Sequence, residues 1–163
     1  QVGGALAVDA IRTGTEEQRV GGHRRATYRR GRRHRPGCLG CPLVTRLIFH
    51  ITTAPEWDAA RRAGAYRAPS LDTEGFIHCS LPTQVNHVAD WFYRDIADLV
   101  LLCIDPALLT SELRWEPSSD AFAGEFPHVY GPIAIESVVS AVPWSRGDEG
   151  FTLPDDVHDL LDG

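Results

Sequence analysis

The chain has 163 residues, 43% of them hydrophobic, and a formal net charge of −6. That length and apolar content fit one globular domain with a substantial core and leave no room for two. No apolar run approaches the roughly 18–20 residues that span a bilayer, and the Arg-rich N-terminus has no apolar stretch of the secretory kind.

Charge is divided unevenly. Residues 1–46 hold ten Arg and three acids (Asp9, Glu16, Glu17), a net of +7, whereas residues 47–163 hold six Arg and 19 acids, a net of −13. The acidic part lacks the electrostatic footprint of a general nucleic-acid binder, although a few Arg or backbone amides suffice for a small anion. Of the four cysteines, Cys79 and Cys103 fall in apolar strand patterns, where Cys acts as a small hydrophobe. No disulfide framework is visible, so a reducing, cytoplasmic setting is expected.

Residues 1–45 include a run of charge and breakers (31–37, Gly-Arg-Arg-His-Arg-Pro-Gly) and no hydrophobic periodicity longer than Ala5 to Ile11. They read as a disordered, Arg-rich N-terminal extension. A natural start near Leu43 or Val44 is favoured over a nucleic-acid-binding arm. Cys38-Leu39-Gly40-Cys41 has the spacing of half a zinc site, with His34 and His23 as further ligand types, but the irregular setting argues against a closed site. No metal is expected.

The ordered domain is expected over 46–144. Leu47 to Thr52 reads as a strand. Thr53-Ala54-Pro55-Glu56 is a capping box that opens a helix running through Trp57 and Ala60 to Gly64. Tyr66 to Leu71 is extended or looped, and Gly75 to Ser80 is a strand. Pro82 opens a second helix with Val85, Val88, Ala89 and Phe92 as its buried stripe. Leu99 to Ile104 is apolar throughout, which marks a central strand covered on both faces. Leu113 to Glu116 alternates; Phe126 to Tyr130 and Ser137 to Val142 supply the last strands. Residues 145–163 are acidic and read as a loosely attached C-terminal tail with a weak helical pattern at Val157, Leu160 and Leu161.

Residues two apart on a strand share a face. His50 therefore sides with Thr52, His78 with Ser80 and Phe76, and His128 with Tyr130. Three strands that each offer a His followed two places on by a hydroxyl suggest a common polar cleft. Imidazole suits proton transfer near neutral pH and also donates well to ribose hydroxyls or phosphate. Taken singly, each of these residues has a plainer role: a strand His is commonly a hydrogen-bonded structural residue, and Ser80 is placed to cap the second helix. Trp57, Trp91 and Trp115 suit packing rather than a stacking platform.

The motifs in order are Leu47-Ile48-Phe49-His50-Ile51-Thr52, Trp57, Gly64, Tyr66, Glu74-Gly75-Phe76-Ile77-His78-Cys79-Ser80, Gln84, Val88-Ala89, Asp98-Leu99-Val100-Leu101-Leu102, Trp115-Glu116 and Phe126-Pro127-His128-Val129-Tyr130-Gly131-Pro132. Together, over residues 47–144, they resemble the bacterial domain of unknown function 952 family. The resemblance implies an α+β, ADP-ribosyltransferase-like fold: a split mixed β-sheet with flanking helices and a cleft for NAD or ADP-ribose. It implies His50 and Thr52 on the nicotinamide-side ribose, His78 and Ser80 as a second motif, and Tyr66 stacked on the nicotinamide. Transferases of this fold also steer the acceptor with a late-strand Glu, for which Glu116 and Glu136 are the candidates. Only Arg46, Arg67 and Arg114 are available for phosphate, which argues against an RNA acceptor.

Four functions compete on these residues. The first is an NAD-dependent ADP-ribosyl or related glycosyl transferase with His50, His78 and His128 as catalytic residues and His50, Thr52, Tyr66, Ser80 and Tyr130 binding the nucleotide. The second is a non-catalytic module for a nucleotide or ADP-ribose-like ligand. The third is a two-histidine phosphodiesterase, since His50-Ile51-Thr52 and His78-Cys79-Ser80 share one pattern. The fourth is a three-histidine metal site.

Overall fold

The computed structural model describes residues 47–118 and 124–162. The expectations for residues 1–45, including the Cys38–Cys41 pair, and for Arg46 lie outside the described residues. Among those described, no helix is long and apolar enough to cross a membrane.

The first strand, β1 (Ile48–Thr53), is rich in β-branched and aromatic residues and stops where Ala54-Pro55 turns the chain into α1 (Ala54–Ala63). The Glu56 carboxylate reaches back to the Thr53 amide at 3.1 Å, as the capping box requires. Gly64 ends the helix in the left-handed region (φ +83°), its amide donating to the Ala60 carbonyl. The stretch expected to be extended or looped holds the two-residue β2 (Ala65–Tyr66) and the single turn α2 (Ser70–Thr73).

The strand expected over Gly75 to Ser80 is shorter: only β3 (Ile77–His78) joins a ladder. Cys79 still donates to the Pro127 carbonyl at 2.9 Å, but Pro127 has no N–H to return the bond, so pairing stops there. Then comes α3 (Pro82–Phe92), whose entry is closed by Gln84 accepting from the Leu81 amide at 2.9 Å. Ser80 therefore does not cap it. The remaining elements are β4 (Leu99–Ile104), β5 (Glu112–Pro117), β6 (Glu125–Tyr130), β7 (Ile133–Ala134), β8 (Val138–Trp144) and α4 (Asp155–Asp162).

The strands form two three-stranded sheets, ordered β1-β4-β8 and β3-β6-β5, with β2 and β7 as a separate short pair. The fold is α+β, but the sheet is not mixed: every described strand pair is antiparallel. The reason is local. The start of β4 lies beside the end of β1, where the Ala54 amide donates to the Asp98 carbonyl at 2.8 Å, and β8 begins beside the end of β4, where the Asp105 amide donates to Ser137. No long crossover returns the chain to a parallel start.

All six β4 residues are buried, and the strand separates two cores. Leu99, Leu101 and Cys103 join Phe49 and Ile51 of β1 against Val85 and Ala89 of α3. Val100, Leu102 and Ile104 join Ile48 against Ile77 and Val129 of the second sheet and Ala60 of α1. The segment after Trp144 is not a loose tail. Phe151 and Val157 are buried in the first core, with Leu153 and Leu161 packed on it, because the β1-β4-β8 face needs cover that α3 alone does not give.

Candidate functional site

Besides packing through their shared core, the two sheets are joined by backbone hydrogen bonds. The Phe49 amide donates to the Ser80 carbonyl and the Ser80 amide to the Phe49 carbonyl, both at 2.8 Å. Among the described residues this is the single bridge between β1 and the segment that follows β3. Beyond it lies a cleft of about 110 Å³. His50 and Thr52 of β1 line it, with Glu56 of α1, Tyr66 of β2, Glu74 just before β3, His78 of β3, and Tyr93 after α3.

His50 is 6% exposed. Its Nδ1 is 2.6 Å from the His78 carbonyl oxygen and its Nε2 is 2.9 Å from the Tyr66 hydroxyl. A carbonyl only accepts, so Nδ1 carries the proton and Nε2 accepts from Tyr66. Burial holds the imidazole below its ordinary pKa, opposed in part by the His78 carbonyl and Glu56, so His50 is neutral. Burial also pushes the Tyr66 hydroxyl well up, which keeps it a donor. The Thr52 and Thr53 hydroxyls each donate to Glu56 Oε2 at 2.9 Å. The same carboxylate oxygen thus closes the α1 cap and faces the cleft.

On the opposite wall, His78 Nε2 donates to Glu74 Oε2 at 3.1 Å. Behind His78, on the face of β6 turned away from the core, stands a second polar group. The His78 and His128 rings meet edge to face with centroids 5.0 Å apart, and Phe76 stacks on His128 at 4.2 Å. His128 Nδ1 donates to Glu116 Oε2 at 2.7 Å, and the Tyr130 hydroxyl donates to the same carboxylate at 2.9 Å. These bonds, His128 first, hold the Glu116 carboxyl below its ordinary range, and Glu116 in turn raises Tyr130. Arg114 lies 4.1 Å over the Tyr130 ring and is held by Glu112 through two bonds of 3.0 and 2.9 Å.

Of the residues singled out from sequence, His50, Thr52, Tyr66 and His78 share the cleft. His128 and Tyr130 stand behind it with Glu116. Ser80 is 5% exposed and occupies the bridge rather than the cleft lining. Glu136 is exposed on the turn before β8, and Arg67 pairs with Asp72 at the surface. The sequence reading missed Glu56, Glu74 and Tyr93 as cleft residues. Glu56 stands four places after Thr52 across a strand-to-helix junction, and Glu74 four places before His78; both offsets were visible.

Among the described residues, the lining carries two carboxylates and two imidazoles and no Arg. It suits a cationic or neutral hydroxylated ligand and repels phosphate. Among the described residues, no three of His, Cys, Asp and Glu are placed to hold a metal ion.

The crystal structure of protein CC0527 from Caulobacter crescentus is similar, with a TM-score of 0.61 at 30% identity over 72% of this chain and 99% of that one. The solution NMR structure of CC0527 gives 0.58 at 32% identity over 69% and 96%. No curated protein matches the chain. The model of the family described as "Protein of unknown function (DUF952)" matches residues 51–141, more than half of the chain, and the chain belongs to that family.

Proposed function

We propose that the cleft receives the nicotinamide–ribose end of NAD, or of a smaller nicotinamide N-glycoside, and that the protein is a glycosyl-transfer enzyme acting on that bond. One observation carries the reading: a cleft between the sheets is lined by neutral His50, Thr52 and Tyr66 together with the carboxylates of Glu56 and Glu74, with no guanidinium among the described residues. The nicotinamide ring of NAD is cationic, and positive charge develops on the ribose as its bond to nicotinamide breaks. Fixed carboxylates and hydroxyl dipoles in a small cleft stabilise such charge.

As a substrate, NAD fits in part. The volume of about 110 Å³ is well below the roughly 300–1,000 Å³ of pockets that enclose a whole drug-sized ligand. It accommodates one ring and its attached edge. The diphosphate finds no basic side chain on the lining and is left to solvent. The ADP-ribosyltransferase-like resemblance of the sequence motifs supports a nicotinamide nucleotide as the ligand class.

A non-catalytic binding module is the second reading, favoured by one fact: both ring nitrogens of His50 are already bonded. The same fact, with two carboxylates on the cleft, counts against a two-histidine phosphodiesterase.

The test is thermal unfolding of the full chain with NAD, nicotinamide riboside, nicotinamide and ADP-ribose, repeated on Thr52→Val, with nicotinamide release followed in parallel. A ligand at about 100 times its dissociation constant adds roughly 2.7 kcal/mol. NAD and the riboside should stabilise the wild type, ADP-ribose should not, and the variant should lose the effect. Stabilisation without nicotinamide release selects the binding module; no stabilisation by any nicotinamide compound sinks both.

A further inference from the structure

The His128 cluster is not used by the cleft, yet it has the build of a proton-transfer group. Glu116 fixes a proton on Nδ1 of His128, so in the neutral ring Nε2 bears the lone pair. Among the described residues, Nε2 has no hydrogen-bond partner. Tyr130 steadies the carboxylate, and Phe76 fixes the imidazole plane by stacking. A carboxylate that orients an imidazole and leaves its far nitrogen open is the arrangement of a general base. The ring lies edge to face with His78, which lines the cleft.

We infer that His128, positioned by Glu116, is the base that deprotonates the acceptor in the glycosyl transfer proposed above, and that the acceptor is a neutral or cationic molecule bearing a hydroxyl or an amine. The inference rests on that proposed reaction. In the step, the acceptor oxygen or nitrogen bonds to the ribose carbon. The bond from that carbon to nicotinamide breaks, its electron pair leaving with nicotinamide. The acceptor proton passes to His128 Nε2, and the imidazolium so formed is balanced by Glu116. Proton release to water restores the base. The acceptor class follows from charge: the cluster contains Glu116, Glu74 is bonded to the neighbouring His78, and Arg114, the guanidinium over Tyr130, is tied twice to Glu112. A phosphate-rich acceptor would meet net repulsion there.

The test uses the full chain with NAD, and with water or ethanolamine as the probe acceptor, comparing wild type, His128→Gln and Glu116→Gln. The Glu116 side chain is 35% exposed, which makes its variant the safer one for folding. Neither residue lines the cleft, so NAD affinity should stay within about twofold while kcat falls about 10²–10⁴-fold in His128→Gln and by less in Glu116→Gln. Nitrogen-15 NMR of the wild type should show His128 protonated on Nδ1. Unchanged kcat with NAD binding intact, or a proton on Nε2 in the wild type, overturns the inference and leaves the cleft reading standing. NAD binding without nicotinamide release from any acceptor also overturns it, in favour of a binding module. Failure of the wild type to bind any nicotinamide compound overturns both.

Discussion

His50 Nδ1 donates to the carbonyl of His78 at 2.6 Å, so a side chain of one sheet satisfies the backbone of the other across 28 residues of sequence. Among the described residues the sheets share a single backbone bridge, at Phe49 and Ser80, and His50 fastens them one residue further along β1. The same imidazole forms the floor of the cleft. Clamp and site are one residue.

Replacing His50 by Ala should therefore cost more than its packing. It removes two hydrogen bonds, to the His78 carbonyl and to the Tyr66 hydroxyl, each worth about 1–2 kcal/mol when buried. A loss of about 2–4 kcal/mol in urea unfolding is expected, against about 1 kcal/mol for Tyr66→Phe, which removes one donor. Equal losses in the two variants would show that His50 does not clamp the sheets.

Stability should also fall in mild acid. The folded pKa of His50 lies below its ordinary 6.5 because burial opposes the charge. Below pH 6.5 the unfolded chain takes a proton that the folded chain refuses, so stability declines as pH falls toward the folded value, by at most about 1.4 kcal/mol per pH unit. Glu116 works in a different window. Its folded pKa is lowered from 4.5, so its contribution is present above 4.5 and is lost as pH falls through the folded value. The fall in stability measured by unfolding between pH 7 and 5 should flatten in His50→Gln. A slope that survives in His50→Gln would assign it to another group.

Phe151 tests whether the C-terminal segment belongs to the fold. It is 4% exposed, packs on Trp144 with centroids 4.8 Å apart, and its amide donates to Asp90 of α3. Phe151→Ala should cost about 3–5 kcal/mol. A cost under 1 kcal/mol, or cooperative unfolding of a chain ended at Trp144, would restore the reading of a loose tail.

What the sequence disclosed depended on the range of the signal. The α1 boundaries were legible because Thr53, Glu56 and Gly64 act within one helical turn. The all-apolar β4 was legible because burial on both faces leaves no polar position. Phe151 and Val157 were not: their partners lie on α3 and β4, and acidic neighbours mask a sparse apolar pattern. Alternation put His50 with Thr52 and His78 with Ser80, but it says nothing about which strand lies alongside. It therefore missed that Ser80 is taken up by the bridge and that His128 stands behind His78. Glu56 was hidden by its own local explanation, since a complete capping box gives no reason to look for a second role.

The cleft's charge gives the sharpest test of its ligand. Glu74 pairs with His78 at 3.1 Å and its side chain is 35% exposed, so Glu74→Gln keeps a hydrogen-bond acceptor and removes a charge with little risk to folding. If the carboxylates select a cation, the variant should bind nicotinamide riboside roughly 5–10-fold more weakly, since charge-assisted bonds are about twice as strong as neutral ones. Its affinity for the uncharged reduced riboside should hardly change. Calorimetry on both ligands separates the cases. Equal weakening of both would make Glu74 a shape-determining wall. Tighter binding of the reduced compound by wild type would mean that the cleft does not select positive charge, and the case for glycosyl transfer would lose its electrostatic basis.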